Sequence, residues 1–176
     1  MLAPSVIYFA VGEADGLGRM IHTQIQTSDP SGWINTDTTY DELGRVASVT
    51  NPYMTTYESS FGTTFYTYDA LNRKIIEQNP DTSIKQWCYN GVKSVSQQTN
   101  CSYAHPNSVA GIWVDSADEA GNDWQRTTDG LGRLRSVLEP NGTSTVPTME
   151  TDYTFDALSN LLKVQQWGGP DRKSVV

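Results

Sequence analysis

Cysteine and histidine are scarce: the 176 residues hold two of each. Two thiols are too few for a disulfide framework or a four-thiolate zinc centre. His22 and His105 stand in no Gly-x-Ser-x-Gly or comparable context, so no nucleophilic triad is expected. Long apolar runs are missing as well, and nothing approaches the ~20 residues of a membrane span. The longest apolar stretch, residues 5–11, has no Lys or Arg before it, so no signal peptide is expected. Positive charge is in short supply, with 12 Lys and Arg against 20 Asp and Glu, a formal net charge of −8. That sign, with a pI near 4.6, argues against nucleic-acid binding.

Aromatic and β-branched residues are plentiful by contrast. Nine Tyr, five Trp, twenty Thr and thirteen Val favour half-buried pleated surface over helix. The apolar share of 37% is a thin supply for a core. The composition describes an ordered, β-rich chain with a polar surface.

One pattern dominates. Asp15-Gly-Leu-Gly-Arg19, Asp41-Glu-Leu-Gly-Arg45, Asp69-Ala-Leu-Asn-Arg73 and Asp129-Gly-Leu-Gly-Arg133 share the form Asp-x-Leu-x-Arg. With 13 Asp, 10 Leu and 7 Arg in the chain, chance supplies roughly 0.03 copies, so four mark a repeat. Asp118-Glu-Ala-Gly-Asn122 and Asp156-Ala-Leu-Ser-Asn160 are looser copies. An aromatic precedes the Asp in three copies (Tyr40, Tyr68, Phe155), and Pro52, Pro80 and Pro140 each follow the Arg by the same interval.

Each unit reads as strand, tight turn, strand and Pro-containing loop. The Asp carboxylate accepts hydrogen bonds from backbone N–H groups just downstream. The fourth position (Gly18, Gly44, Asn72, Gly132) suits a positive φ. Arg at the turn exit can reach back to the Asp or lie on the preceding Tyr ring, and Pro ends the outgoing strand. Asp69 to Gln78 and Asp156 to Gln166 taken alone resemble capped helices. Copies with Gly in mid-segment, and Pro soon after, favour strand pairs. The expectation is an all-β chain of consecutive antiparallel hairpins forming an extended, curved, shell-like sheet. It spans 1–176 as a single array of five to six units, with an irregular insertion at about 85–117.

Tyr66-x-Tyr-Asp-Ala-Leu-Asn-Arg73 and Asp129-Gly-Leu-Gly-Arg-Leu134 resemble the Rhs, or YD, repeat. The resemblance covers roughly residues 12–169. Proteins of that family include bacterial Rhs polymorphic toxins, the shell component of insecticidal toxin complexes, and teneurins. The resemblance implies a β-sheet that spirals into a hollow shell and, in bacterial members, encloses a C-terminal toxin. It therefore implies a non-enzymatic segment of a larger secreted or surface protein, with the rest of that chain or its toxin cargo as partner. The family's aspartyl self-cleavage motif is built around Asp-Pro-x-Gly. Asp29-Pro-Ser-Gly32 matches those letters without the surrounding motif and reads as a turn.

The remaining candidates are weighed against simpler roles. Recurrent Asp residues sit at turns, so no glycosidase pair is expected. Cys88 and Cys101 read either as a disulfide closing a loop or as free thiols, and with His105 they lack the close Cys-x2-Cys pair of a zinc site. The segment 118–123 is rich in oxygen ligands but lacks EF-hand spacing. No catalytic residue, cofactor or metal is therefore expected. Trp33, Trp87, Trp113, Trp124 and Trp167 either line the inner face of the sheet or stack on sugar rings, which would make the chain a stand-alone glycan- or surface-binding module. An excised array has raw sheet edges, so self-association is expected if the chain exists alone.

Overall fold

The computed structural model describes residues 9–29, 32–54, 61–90, 111–142, 147–167 and 174–175. Every element among them is a β-strand, and all pairings are antiparallel. The chain divides into two compact units, Met1–Ser83 and Ile84–Val176.

Unit 1 contains β1 (Ala10–Ala14), β2 (Met20–Gln26), β3 (Trp33–Tyr40), β4 (Val46–Thr50), β5 (Tyr53–Met54), β6 (Thr63–Tyr68) and β7 (Lys74–Gln78). They lie in the order β1-β2-β3-β4-β6-β7, with β5 beside β3. The Asp-x-Leu-x-Arg segments join β1 to β2, β3 to β4 and β6 to β7, so the helical alternative at Asp69 gives way to a hairpin. Thr, Tyr and Val supply the pairing surface, as in the run Thr-Thr-Phe-Tyr-Thr-Tyr of β6. Pro80 follows β7 inside the turn Asn79–Ser83, which is closed by the same pair of backbone bonds as the hairpins opened by the repeated Asp residues. There the Thr82 N–H donates to the Asn79 carbonyl and Thr82 has φ +70°. A residue without an N–H costs nothing at that corner.

Unit 2 contains β8 (Ile84–Tyr89), β9 (Ile112–Ala117), β10 (Asp123–Thr128), β11 (Leu134–Pro140), β12 (Pro147–Phe155), β13 (Leu161–Trp167) and β14 (Ser174–Val175). They pair in chain order. The expected irregular insertion shrinks, because 84–89 and 112–117 are regular strands that pair with each other. Residues 91–110 lie outside the described residues.

Strand alternation decides what is buried. Cys88, Asp115, Gln125, Leu138 and Glu150 are direct cross-strand partners in one transverse row. All five are buried. Among the described residues the buried apolar side chains are Ile75, Cys88, Leu138 and Pro147, against eight buried polar ones including Asn35, Thr127 and Ser136. The core is thus as thin as the composition implied, and it is largely polar. Ladder hydrogen bonds and turn contacts must therefore supply much of the specificity that apolar packing supplies elsewhere.

The tryptophans do not share one face, contrary to the inner-face expectation. All five are half-buried. In unit 2, Trp113 and Trp167 lie on the face of Leu138, whereas Trp87 and Trp124 flank Ser116 on the other.

Candidate functional site

The repeated residues form one device, copied turn by turn. In the first copy the Asp15 N–H donates to the Arg19 carbonyl, and the Gly18 N–H donates to the Asp15 carbonyl. Asp41, Asp69, Asp118, Asp129 and Asp156 open the same pair of bonds. This is a type I turn followed by one left-handed residue, a three-residue hairpin loop whose bulge twists with the strands. The fourth position has positive φ in all six turns, at Gly18, Gly44, Asn72, Gly121, Gly132 and Ser159.

The Asp carboxylate organises the loop. Asp129 Oδ1 accepts the N–H groups of Leu131 and Arg133 at 2.9 and 3.0 Å. Its Oδ2 accepts Arg133 Nε at 2.7 Å. Asp15, Asp41 and Asp69 hold Arg19, Arg45 and Arg73 in the same way. In the looser copies an amide replaces the guanidinium. Asn122 Nδ2 and Asn160 Nδ2 each donate to Oδ2 of their Asp at 2.8 Å. These bonds favour the charged carboxylates. The Arg19 N–H and side chain lower the pKa of Asp15, and the Asn160 amide and N–H lower that of Asp156. At Asp41, Asp69 and Asp129 partial desolvation pushes upward, but the bonds from Arg45, Arg73 and Arg133 outweigh it and the pKa is lowered.

The guanidinium has a second partner, and it is not the expected one. The sequence allowed Arg to reach back to its own Asp, as it does, or to lie on the ring preceding that Asp. In place of that ring it covers the aromatic of the following repeat: Arg19 over Tyr40 at 4.4 Å, Arg45 over Tyr68 at 4.7 Å, and Arg133 over Phe155 at 5.2 Å. The hairpin order puts the next unit's aromatic beside the Arg. Arg45 Nη1 also donates to the Asp69 carbonyl at 3.1 Å and to Asn72 Oδ1 at 3.0 Å. Arg133 Nη1 donates to the Asp156 carbonyl at 3.0 Å and Ser159 Oγ at 3.3 Å. The ring answers in two cases, with Tyr40 OH donating to the Met20 carbonyl and Tyr68 OH to the Val46 carbonyl. Arg19, Arg45 and Arg133 therefore close their own turns and reach the next repeat.

Gly132→Val tests the turn directly. A Cβ at Gly132 meets nothing within 4 Å, so the cost is that of holding a β-branched residue at φ +77°, about 1–2 kcal/mol. Gly44→Val is expected to cost more, because its Cβ would stand 3.0 Å from Arg19 Nη1. Urea denaturation checks both, and unchanged midpoints would refute the turn assignment.

Asp118 is a copy in geometry but not in position. Only β10 separates it from Asp129, so in an antiparallel sheet their turns lie at opposite ends of unit 2. Trp113 N–H donates to Asn90 Oδ1 at 2.9 Å, and Ile112 pairs with Thr128. The β8–β9 connection therefore leaves the sheet at the Asp129 end, where a repeat would have placed its Asp–Arg turn.

Two polar groupings escaped the sequence reading, because their members lie on different strands. In unit 1, His22 Nδ1 and Tyr53 OH both bond Asp37, on Oδ1 and Oδ2. Desolvation pushes the Asp37 carboxyl up, but the bonds from Tyr53 and His22 prevail and lower it. In unit 2, Gln86, Cys88, Asp115, Ala117 and Asp123 line a cavity of about 10 Å³, roughly one water's worth of space. Ala117 stands between Gln86 and Asp123 in the register and leaves the gap. Desolvation first, then the hydrogen bond and charge of Asp123, push Asp115 up to about 8. The pair can hold a proton between two carboxyls. On the other face, Lys85, Trp87, Ser116, Ala117, Asp118 and Trp124 line a groove of about 150 Å³.

Among the described residues, no group of three or more His, Cys, Asp or Glu is placed to hold a metal ion, and no helix is long and apolar enough to cross a membrane. Cys88 is buried on β8 and no described cysteine is free. Cys101 and His105 lie outside the described residues, as do Pro30 and Ser31 of the Asp-Pro-Ser-Gly turn.

No protein-family model matches the sequence, and no curated protein matches it. Among solved structures, TcdB2-TccC3-Cdc42 is similar over 90% of this chain at 12% identity, with a TM-score of 0.30. TcdB2-TccC3 alone, and TcdB2-TccC3 without its hypervariable C-terminal region, match with the same coverage and identity at TM-scores of 0.31 and 0.34. This chain spans 10% of the length of each.

Proposed function

We propose that this chain is a non-enzymatic structural segment of an Rhs-type β-sheet shell, from a secreted or surface toxin or adhesion protein that encloses a C-terminal effector. The observation that carries the reading is the Arg latch. Arg19, Arg45 and Arg133 each close their own hairpin and cover the aromatic of the next repeat. A device of that kind adds units to a sheet indefinitely, which is what a long shell requires. The YD-like motifs of the sequence point the same way.

The test is the mass of the native product in source cells, probed with an antibody against residues 129–170. The shell reading expects a band far above 19.5 kDa; a band at that mass overturns it. A second reading, a stand-alone glycan- or surface-binding module, draws support from the groove between Trp87 and Trp124. Indole rings lining a groove on a sheet surface suit a sugar face. That reading expects glycans to quench Trp fluorescence, and the quenching to disappear in Trp124→Ala.

A further inference from the structure

Among the described residues, Gln86 Oε1 on β8 and Asp115 Oδ1 on β9 are buried and accept no hydrogen bond from the chain. Buried polar atoms are nearly always partnered, so each such atom calls for a cause. Asp115 is 4% exposed, which removes bulk solvent as its donor. Both side chains line the cavity of about 10 Å³, with Cys88, Ala117 and Asp123 completing its wall. The register explains the gap. Ala117 is the cross-strand partner of both Gln86 and Asp123, so a single methyl stands between two longer side chains.

The wall does not supply the missing donor. Asp115 and Asp123 are hydrogen-bonded to each other, which commits the Asp115 proton to that bond. Cys88 is disulfide-bonded and has no S–H, and Ala117 has no polar side-chain group. Size then limits the occupant, because the cavity admits about one water-sized group. An apolar group would leave both oxygens unserved, and an anion would meet two carboxyl groups. A hard metal ion takes about six or more oxygens, beyond what this lining offers. Water brings two O–H groups in a body of that size, one for each oxygen.

We infer that the gap between Gln86, Asp115 and Asp123 is a binding site for one water molecule, which donates to Asp115 Oδ1 and to Gln86 Oε1. The shared proton and this water then serve the acceptors of the gap that the chain leaves unserved. A water held between buried groups on neighbouring strands belongs to the structure and exchanges slowly with solvent. Ala117 is the residue that makes room for it, and the site rests on neither functional reading.

Magnetic relaxation dispersion of the water oxygen, which counts long-lived internal waters, tests the inference on the full chain. The expected result is one such water fewer in Ala117→Val, whose added methyl groups fill the gap, than in the wild type. Equal counts in two folded proteins overturn the inference. Should Ala117→Val fail to fold, a crystal structure of the wild type decides. A single peak about 2.7–3.2 Å from both Asp115 Oδ1 and Gln86 Oε1 is expected. A gap without a peak overturns the inference, as does a peak that takes up thallium in soaked crystals, which would make the occupant a cation. None of these results touches the shell reading, which the native mass decides.

Discussion

Replacing Leu138 by alanine is expected to lower stability by about 2–5 kcal/mol, the range for emptying a fully buried leucine site. Leu138 is 0% exposed and sits in the middle of β11, directly between Gln125 of β10 and Glu150 of β12. The site has little capacity to collapse around the hole. Its cross-strand neighbours are polar, and the Ser136 hydroxyl already donates to Glu150 Oε1 at 3.0 Å. Moving these groups into the cavity would break bonds that are costly to lose in a buried setting. Urea denaturation should show a lower midpoint with an unaltered slope. Leu131→Ala, at an exposed turn tip three quarters open to solvent, is the control and should stay within about 0.5 kcal/mol of wild type. Equal effects at the two positions would refute the burial pattern of unit 2.

Raising the pH is expected to destabilise the chain, and Asp115→Asn to remove most of that dependence. Burial and the neighbouring Asp123 raise Asp115 from an ordinary 3.8 to about 8. The folded state therefore holds a proton that the unfolded chain gives up above pH 3.8. Folding binds protons across this window, so stability falls as pH rises from about 4 toward 8 and levels off beyond. Asn keeps the shape and hydrogen bonds of the protonated acid without a charge to bury. The variant should gain on the wild type as pH rises, measured as melting temperature from pH 4 to 9. Parallel curves for the two proteins would show that the pair is not desolvated as described. Below pH 4 the sign reverses. The turn carboxylates of Asp15, Asp41, Asp69, Asp129 and Asp156 are lowered from 3.8, so their contribution is present above that value and lost as pH falls through their folded values.

The turns were legible because their physics is local. Asp, Gly or Asn, and Arg act on one another within five residues. Asp129 and Arg133 meet at 2.7 Å whatever lies elsewhere, and a position that demands positive φ announces itself by Gly or Asn. The aromatic before the Asp was visible too, but the Arg weighed as its partner was that of the same unit. Arg45 and Tyr68 are joined only when β4 lies beside β6, a fact of strand order rather than of spacing.

Composition and repetition alone determined that this chain is all-β, built of antiparallel hairpins closed by Asp-x-Leu-x-Arg turns, with a thin core. The tertiary structure decided which ring each Arg covers, at which end of unit 2 the Asp118 turn falls, that Trp87 and Trp124 face away from Leu138, and that Asp115 shares a buried gap with Asp123. The division follows from range. Turn bonds close over a few residues and leave a readable signature. Face, end and burial depend on the number and register of the intervening strands, and a one-residue change in that count reverses which side a residue shows.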